Sequence, residues 1–283
     1  MKILVLFLCL LTSVCHAEKS AIYVSNPPGG ISDLLARFIA KNRRDTMVVN
    51  IPGALTQQAP KQAFQTHQPL IVETSTLIID PIIYGRDRTY DIITNFKEII
   101  LLGTAPNVLL VPDNNPAIGI QSFRRWAEES NVDLTYATSG SMTHIAALEL
   151  LERLGLSGRR IPYRGGINAT QAVMRNEVVF HVGNLVGAKP ALATKKVRGI
   201  LLPKETFKTR GYYGIAFPPG MAPEVITAWR QVISDLFTNK ETRNEIEQFG
   251  FEVDLVQGIA LEPWIRKETT YYEEIIKRYR VSE

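Results

Sequence analysis

An α/β fold is predicted by three observations. Short β-branched runs alternate with amphipathic stretches along nearly the whole chain, the order expected of strand–helix units with largely parallel sheets. Three strand ends run into glycine- and hydroxyl-rich loops, NPPGGIS, ATSGSMTH and YRGGINAT, and each loop opens a helix. The composition, 45% hydrophobic and 21% charged over 283 residues, is that of an ordinary globular chain with room for one large domain or two medium ones. No fixed-period repeat or low-complexity tract is present, which argues against a solenoid or a disordered linker.

Taken in order, AIYVS predicts a strand, and SDLLARFIAKNRR predicts a helix with Leu34, Leu35, Phe38 and Ile39 on one face. TMVVNIP is a second strand and PLIVETSTLIID contains a third. FKEIILLGTAPNVLLVP reads as two strands separated by a turn at Gly103–Asn107. SFRRWAEESN is helical, LTYATSG is a strand, and MTHIAALELLERLG is a helix that Gly155 stops. RRIPYRGG is strand-like, and the helix of NATQAVMRNE starts with Asn168 as its N-cap. VVFHVGN and VRGILLP are strands, and the C-terminal third is helical over PEVITAWRQVISDLFTN, KETRNEIEQFG and PWIRKETTYYEEIIKRYR.

The first residues stand apart. Lys2, the apolar run ILVLFLCLLTSV and a small residue at Ala17 have the layout of a secretory signal peptide cut after Ala17. A membrane-spanning helix needs about 20 apolar residues, more than this run supplies. A lipid anchor at Cys15 is disfavoured by the bulk of Val14. Both cysteines, Cys9 and Cys15, lie in this segment, so the mature chain has none with which to form a disulfide. No later run is apolar enough to span a bilayer.

Loss of residues 1–17 removes only Lys2 from the 32 basic residues, leaving 31 against 28 acidic ones. The basic doublets Arg43-Arg44, Arg124-Arg125, Arg159-Arg160 and Lys195-Lys196 are scattered and lack interleaved aromatics, which argues against a nucleic-acid partner. His67, His144 and His181 have no zinc-type spacing, and no cofactor motif appears.

The three glycine loops carry the chemical signal. Ligands of open α/β sheets gather at the carboxyl ends of strands. Helix N-termini there expose backbone N–H groups at the positive end of the helix dipole, and glycine lets a ligand reach them. One such loop proves nothing, because tight turns need glycine anyway. Three suggest an anion or carboxylate site.

The segments VSNPPGGISDLLAR, VVNIPGA, YDIITNFKEIILLGTAPNVLLV, LTYATSGSMTHIAALELLERLG, IPYRGGINATQAVMRNEV and GIAFPPGMAPEVI resemble, in that order, the Bug-type solute-binding proteins of tripartite tricarboxylate transporters. The resemblance spans about residues 20–275. It implies a type II periplasmic-binding fold: two α/β lobes joined by two crossover strands, near Asn107–Pro112 and Tyr213–Pro218, with a ligand cleft between them. Lobe 1 would hold residues 18–108 and 217–283, and lobe 2 residues 109–216. It further implies a periplasmic monomer without enzymatic activity or cofactor, which binds a small carboxylate and hands it to membrane permease subunits.

By position, the resemblance places Asn26, Pro28, Gly29, Gly30 and Ser32 in the first carboxylate loop, with Asp33 as an organiser of that loop. Ser139, Gly140, Ser141, Thr143 and His144 fall in the second. Tyr163, Gly165 and Gly166 fall in the third, and Thr104 and Ala105 form a wall beside the first crossover. For His144 a loop-locking hydrogen bond is the plainer reading than a ligand contact. The chain departs from the family at Ser25-Asn26, where Pro-Phe is usual, and at Leu55-Thr56-Gln57-Gln58, where a glycine loop is usual. It departs again at Val179, where an acid is usual, with His181 two residues on, and in a shortened segment before GIAFPPG. These departures imply a shifted ligand preference.

Two other functions share parts of this signal. A sensory or orphan binding protein would have the same fold and pocket. A secreted hydrolase would use Ser141 and His144, but there is no G-x-S-x-G elbow, and nothing in the sequence designates an orienting acid.

Overall fold

The computed structural model describes residues 20–53, 57–86 and 90–281. The signal segment therefore lies outside the described residues, as do Leu55 and Thr56. In chain order the strands are β1 (Ser20–Val24), β2 (Thr46–Asn50), β3 (Leu70–Glu73), β4 (Glu98–Ala105), β5 (Asn107–Pro112), β6 (Thr135–Thr138), β7 (Arg159–Pro162), β8 (Phe180–Asn184), β9 (Val197–Leu201), β10 (Gly211–Phe217) and β11 (Glu252–Val256). The helices are α1 (Ile31–Lys41), α2 (Gln58–Thr66), α3 (Asp80–Tyr84), α4 (Ile92–Asn95), α5 (Ile120–Glu129), α6 (Ser141–Leu154), α7 (Gly166–Met174), α8 (Leu185–Ala193), α9 (Pro223–Thr238), α10 (Lys240–Glu247) and α11 (Leu261–Tyr279).

The strands form two sheets, in the orders β11-β4-β10-β3-β1-β2 and β7-β6-β8-β5-β9. β1 runs parallel to β2 and β3, and β6 runs parallel to β7 and β8. Both sheets are nevertheless mixed rather than largely parallel. β10 is antiparallel to β3 and β4, and β5 is antiparallel to β8 and β9. Each of these is the strand through which the chain enters from the other sheet, so it arrives against the direction of the local strand–helix units. β11 adds a further antiparallel edge on β4.

Alternation along the strands explains why the first sheet is covered on both faces. Ile22 and Val24 of β1, with Ile100 and Leu102 of β4, pack into one cluster with Trp229 and Phe237 of α9. Ala21, Tyr23, Ile99 and Leu101 face the opposite cluster with Tyr272, Ile275 and Ile276 of α11. A strand buried on both faces reads as a continuous apolar run, as in AIYV and IILL. The second sheet is built the same way around Phe123, Tyr136 and Phe180. Each such large side chain, fully buried, contributes about 1.5–3 kcal/mol.

The passages between sheets differ from the expected positions. β4 and β5 are interrupted only at Pro106, which has no N–H to continue a ladder, so Asn107–Pro112 already belongs to the second sheet. Gly103 is not in a turn. It lies inside β4 at φ 151°, where a Cβ would come within 2.1 Å of the Glu252 carbonyl oxygen, so β11 can pair only against glycine there. The return passage occupies residues 202–210, before the expected Tyr213–Pro218, because Gly211–Phe217 is already paired in the first sheet. Buried Glu149 of α6 fastens that passage by accepting from the Lys208 and Thr209 amides at 3.0 and 2.9 Å. Asn168 does not cap α7 either. Gly165 does, and the Asn168 amide donates to the Arg164 carbonyl at 2.6 Å.

Candidate functional site

A cavity of about 440 Å³ lies between the two sheets. Three helices begin at it: α1 from Gly30, α6 from Gly140 and α7 from Gly165, all three N-cap glycines being cavity-lining and none with a side chain to cap the helix. The first helical bonds are Leu34 to Gly30, His144 to Gly140 and Ala169 to Gly165. The three amides at each start, residues 31–33, 141–143 and 166–168, consequently have no acceptor within their helix. A fourth helix, α8, also begins there, but Asn184 caps it, its side chain accepting from the Gly187 amide at 2.7 Å.

Of the residues that sequence reasoning placed at the site, Asn26, Gly29, Gly30, Ser32, Ser139, Gly140, Ser141, Thr143, Gly165 and Gly166 line this cavity. Pro28 does not; its neighbour Pro27 lines the cavity instead and packs 3.8 Å from the Cβ position of Gly165, while Gly29 faces Ile167 in the same way. Thr104 turns to the opposite side of β4, where its hydroxyl donates to the Gly211 carbonyl at 2.8 Å, and Ala105 is core. Tyr163 reaches toward Glu177, at 3.4 Å, and the next residue, Arg164, lines the cavity. His144 locks no loop through its ring, which instead stacks on Tyr136 with centroids 6.2 Å apart. Burial and the charge of Arg160 lower its pKa to about 4.

Asp33 does organise the first loop. One of its oxygens accepts from the Gly29 amide at 3.0 Å and from Arg37 at 2.8 Å. Burial alone would raise its pKa, but these donors outweigh it and hold the carboxyl below its ordinary value. The Gly29 amide is thereby already committed. Asn26, at the position where an aromatic is usual, donates to the Ser32 hydroxyl at 3.3 Å.

Sequence reasoning missed Glu73, Asp80, Arg164, His181, Asn184 and Tyr213, all of which line the cavity. Glu73 carried one legible signal, an acid at the carboxyl end of a strand followed by three hydroxyl residues. His181 is buried and neutral, its pKa lowered to about 4 by burial against a hydrogen bond with the Ala137 carbonyl. That bond, 2.9 Å long, places the proton on Nδ1 and leaves Nε2 as an acceptor. The ring lies over Gly183, where a Cβ would come within 2.9 Å of Nε2. Among the described residues Arg164 is the only lysine or arginine at the cavity, and it is exposed.

The two sides meet directly. Ser141 donates to Asp80 across the cleft at 2.8 Å, so its hydroxyl is oriented by an acid rather than by His144. Further along, the Tyr279 hydroxyl donates to Glu152 at 2.6 Å, and Tyr272 of α11 packs beside Met142 of α6. Among the described residues no helix is long and apolar enough to cross a membrane, and no cluster of metal-ligating side chains occurs.

The sequence profile described as "Tripartite tricarboxylate transporter family receptor" matches residues 47–280. The chain belongs to that family. Its relatives include a UPF0065 protein from the tcbD-tcbE intergenic region of a Pseudomonas species, 22% identical over 97% of this chain and 93% of that protein. A UPF0065 protein of Bordetella pertussis is 27% identical over 62% of this chain and 59% of its own length. Among solved structures, an R. palustris protein with adipate superposes with a TM-score of 0.80 at 19% identity, covering 92% of this chain and 96% of the other. The periplasmic binding protein BugD gives a TM-score of 0.76 at 18% identity, covering 93% and 98%. MatC from Rhodopseudomonas palustris with bound malate gives 0.73 at 19% identity, covering 91% and 98%. The fold is thus the two-lobed, type II-like solute-binding architecture, and the receptor family is one of binding proteins.

Proposed function

We propose that the protein is a periplasmic receptor that closes two lobes on a small carboxylate and presents it to the membrane subunits of a tripartite tricarboxylate-type transporter. The observation that carries this reading is the convergence of three glycine-capped helix N-termini on one cavity. Each supplies about half a positive charge and unpaired amides, favouring an anion by roughly 0.3–1 kcal/mol at the surface and more when shielded from water. The adipate- and malate-bound neighbours support the same chemistry.

Lobe 1 comprises the first sheet with its helices, about residues 20–105 and 211–281, and lobe 2 the second, about 107–201. The ligand contacts are the cavity-lining positions Asn26, Gly30, Ser32, Ser139, Gly140, Ser141, Thr143, Gly165 and Gly166. Gly29, Asp33 and Pro27 shape the lobe-1 wall. Pro28, Thr104, Ala105, His144 and Tyr163 support the site without touching ligand. Closure is a population shift: a carboxylate held by both lobes favours the closed form, which a membrane partner distinguishes from the open one. Export by cleavage after Ala17 delivers a monomeric binding protein to the periplasm.

Thermal-shift screening of the mature chain against mono-, di- and tricarboxylates tests this. A ligand at about a hundred times its Kd stabilises by about 2.7 kcal/mol, a clear rise in Tm. No rise with any carboxylate would defeat the reading.

A further inference from the structure

The cavity is electrically divided. Glu73 ends β3 at the cavity wall, and Tyr213 of β10 stands directly opposite it in the antiparallel ladder, so the two side chains share one face of the sheet. Ser32 donates to Glu73 at 3.3 Å and the Asn26 amide lies beside it, but no lysine or arginine among the described residues offsets its charge. Burial pushes its carboxyl above the usual range, against the hydrogen bonds from Asn26 and Ser32. Asp80 adds a second acid on the same lobe, with Ser141 as donor. On the other lobe α7 has no acid in its first turn, and Arg164 precedes its cap. Glu73 is half-buried at the cavity wall with no lysine or arginine beside it among the described residues, so a cation in the cavity would offset its charge. Tyr213 places an aromatic ring on the same sheet face. A purely anionic ligand would sit against Glu73 with like charge.

We propose that the ligand carries a cationic nitrogen as well as a carboxylate, and that Glu73 and Tyr213 receive the nitrogen while the α7 N-terminus and Arg164 receive the carboxylate. This rests on the carboxylate reading above and narrows it to amine-bearing acids. His181, with Nε2 free to accept, adds a second acceptor for such a group.

The test is calorimetric titration of the mature chain with pairs differing by one amino group: succinate with aspartate, glutarate with glutamate, and adipate with 2-aminoadipate. Cadaverine, which has no carboxylate, is added to the set. The expected result is a preference of about tenfold or more for the amine-bearing member of a pair, abolished in Glu73→Gln. Glu73→Asp keeps the charge but withdraws it, and should retain a reduced preference. A preference unchanged in both variants, or tighter binding of the amine-free members, overturns the proposal and leaves the carboxylate reading standing. Cadaverine binding that depends on Glu73, with no carboxylate bound, upholds the cation seat and overturns the carboxylate reading. Binding of nothing in the set overturns both. Should Glu73→Gln not fold, the preference in Glu73→Asp decides: a severalfold fall supports the proposal, and no change overturns it.

Discussion

The two walls of the cavity use one backbone device and dress it oppositely. On lobe 1, α1 starts at Gly30, but Asp33 sits in its first turn, and Glu73 and Asp80 line the same wall. On lobe 2, α6 and α7 start at Gly140 and Gly165 with no first-turn acid, and Arg164 and neutral His181 are the titratable groups beside them. Bare helix N-termini favour anions, so the backbone offers the same device on either side. Glu73 sets an acid beside the lobe-1 terminus, whereas Arg164 sets a cation beside the lobe-2 termini.

The largest expected effect comes from obstructing the lobe-1 wall. Gly30 has φ −82°, which any residue adopts, and a Cβ there meets nothing closer than 4.0 Å, so Gly30→Val should fold and fill ligand space. Gly29→Val adds strain at φ 91° and presses toward Ile167 on the other lobe. Calorimetry should show binding lost in both, by about a hundredfold or more. Unchanged affinity would remove this loop from the site.

Next is the acid sensitivity of lobe 2. The pKa of His181 lies at about 4 in the folded protein, against an ordinary 6.5. Because the unfolded chain takes up its proton first, stability present at neutral pH drains away as pH falls from 6.5 toward about 4, by about 3 kcal/mol for this residue. Urea unfolding at pH 7 and pH 4.5 should give a smaller loss for His181→Gln than for the parent; equal losses would count against a neutral buried imidazole.

Ser141→Ala severs the bond to Asp80 that joins the walls. It should weaken ligand affinity about tenfold, in keeping with a charge-assisted hydrogen bond. A hydrolase would instead lose a turnover that the parent must first possess, so absence of ester hydrolysis by the parent separates the two readings. Asn184→Ala uncaps α8 and should cost about 1 kcal/mol in urea unfolding, while adding a fourth bare N-terminus to the cavity. The smallest effect belongs to Tyr279→Phe, which removes an exposed bond between α11 and Glu152. Its cost should stay below about 1 kcal/mol, and a larger loss of affinity would assign the rim a role in closure.

The three glycine loops were legible because they recur at strand ends that open helices, and the family resemblance then placed fifteen residues, ten of which line the cavity. The others lie off the cavity for local reasons. Thr104 and Ala105 sit on a strand whose neighbours claim both faces, so being near a crossover says nothing about which way a side chain turns. Tyr163 and Arg164 are adjacent in the loop between β7 and α7, which sends only Arg164 to the cavity while Tyr163 turns to Glu177.

The sequence by itself determined the α/β class, the glycine loops that open α1, α6 and α7, and the family, because periodicity, glycine placement and ordered motifs are properties of contiguous residues. Only the tertiary structure decided that both sheets are mixed, that the passages lie at Pro106 and at residues 202–210, and that Glu73, Tyr213, Arg164 and His181 share one cavity. Those residues are separated by 17 to 140 positions. No local pattern records which strand ends a sheet will bring together, and the charge of a pocket is the sum of such distant ends.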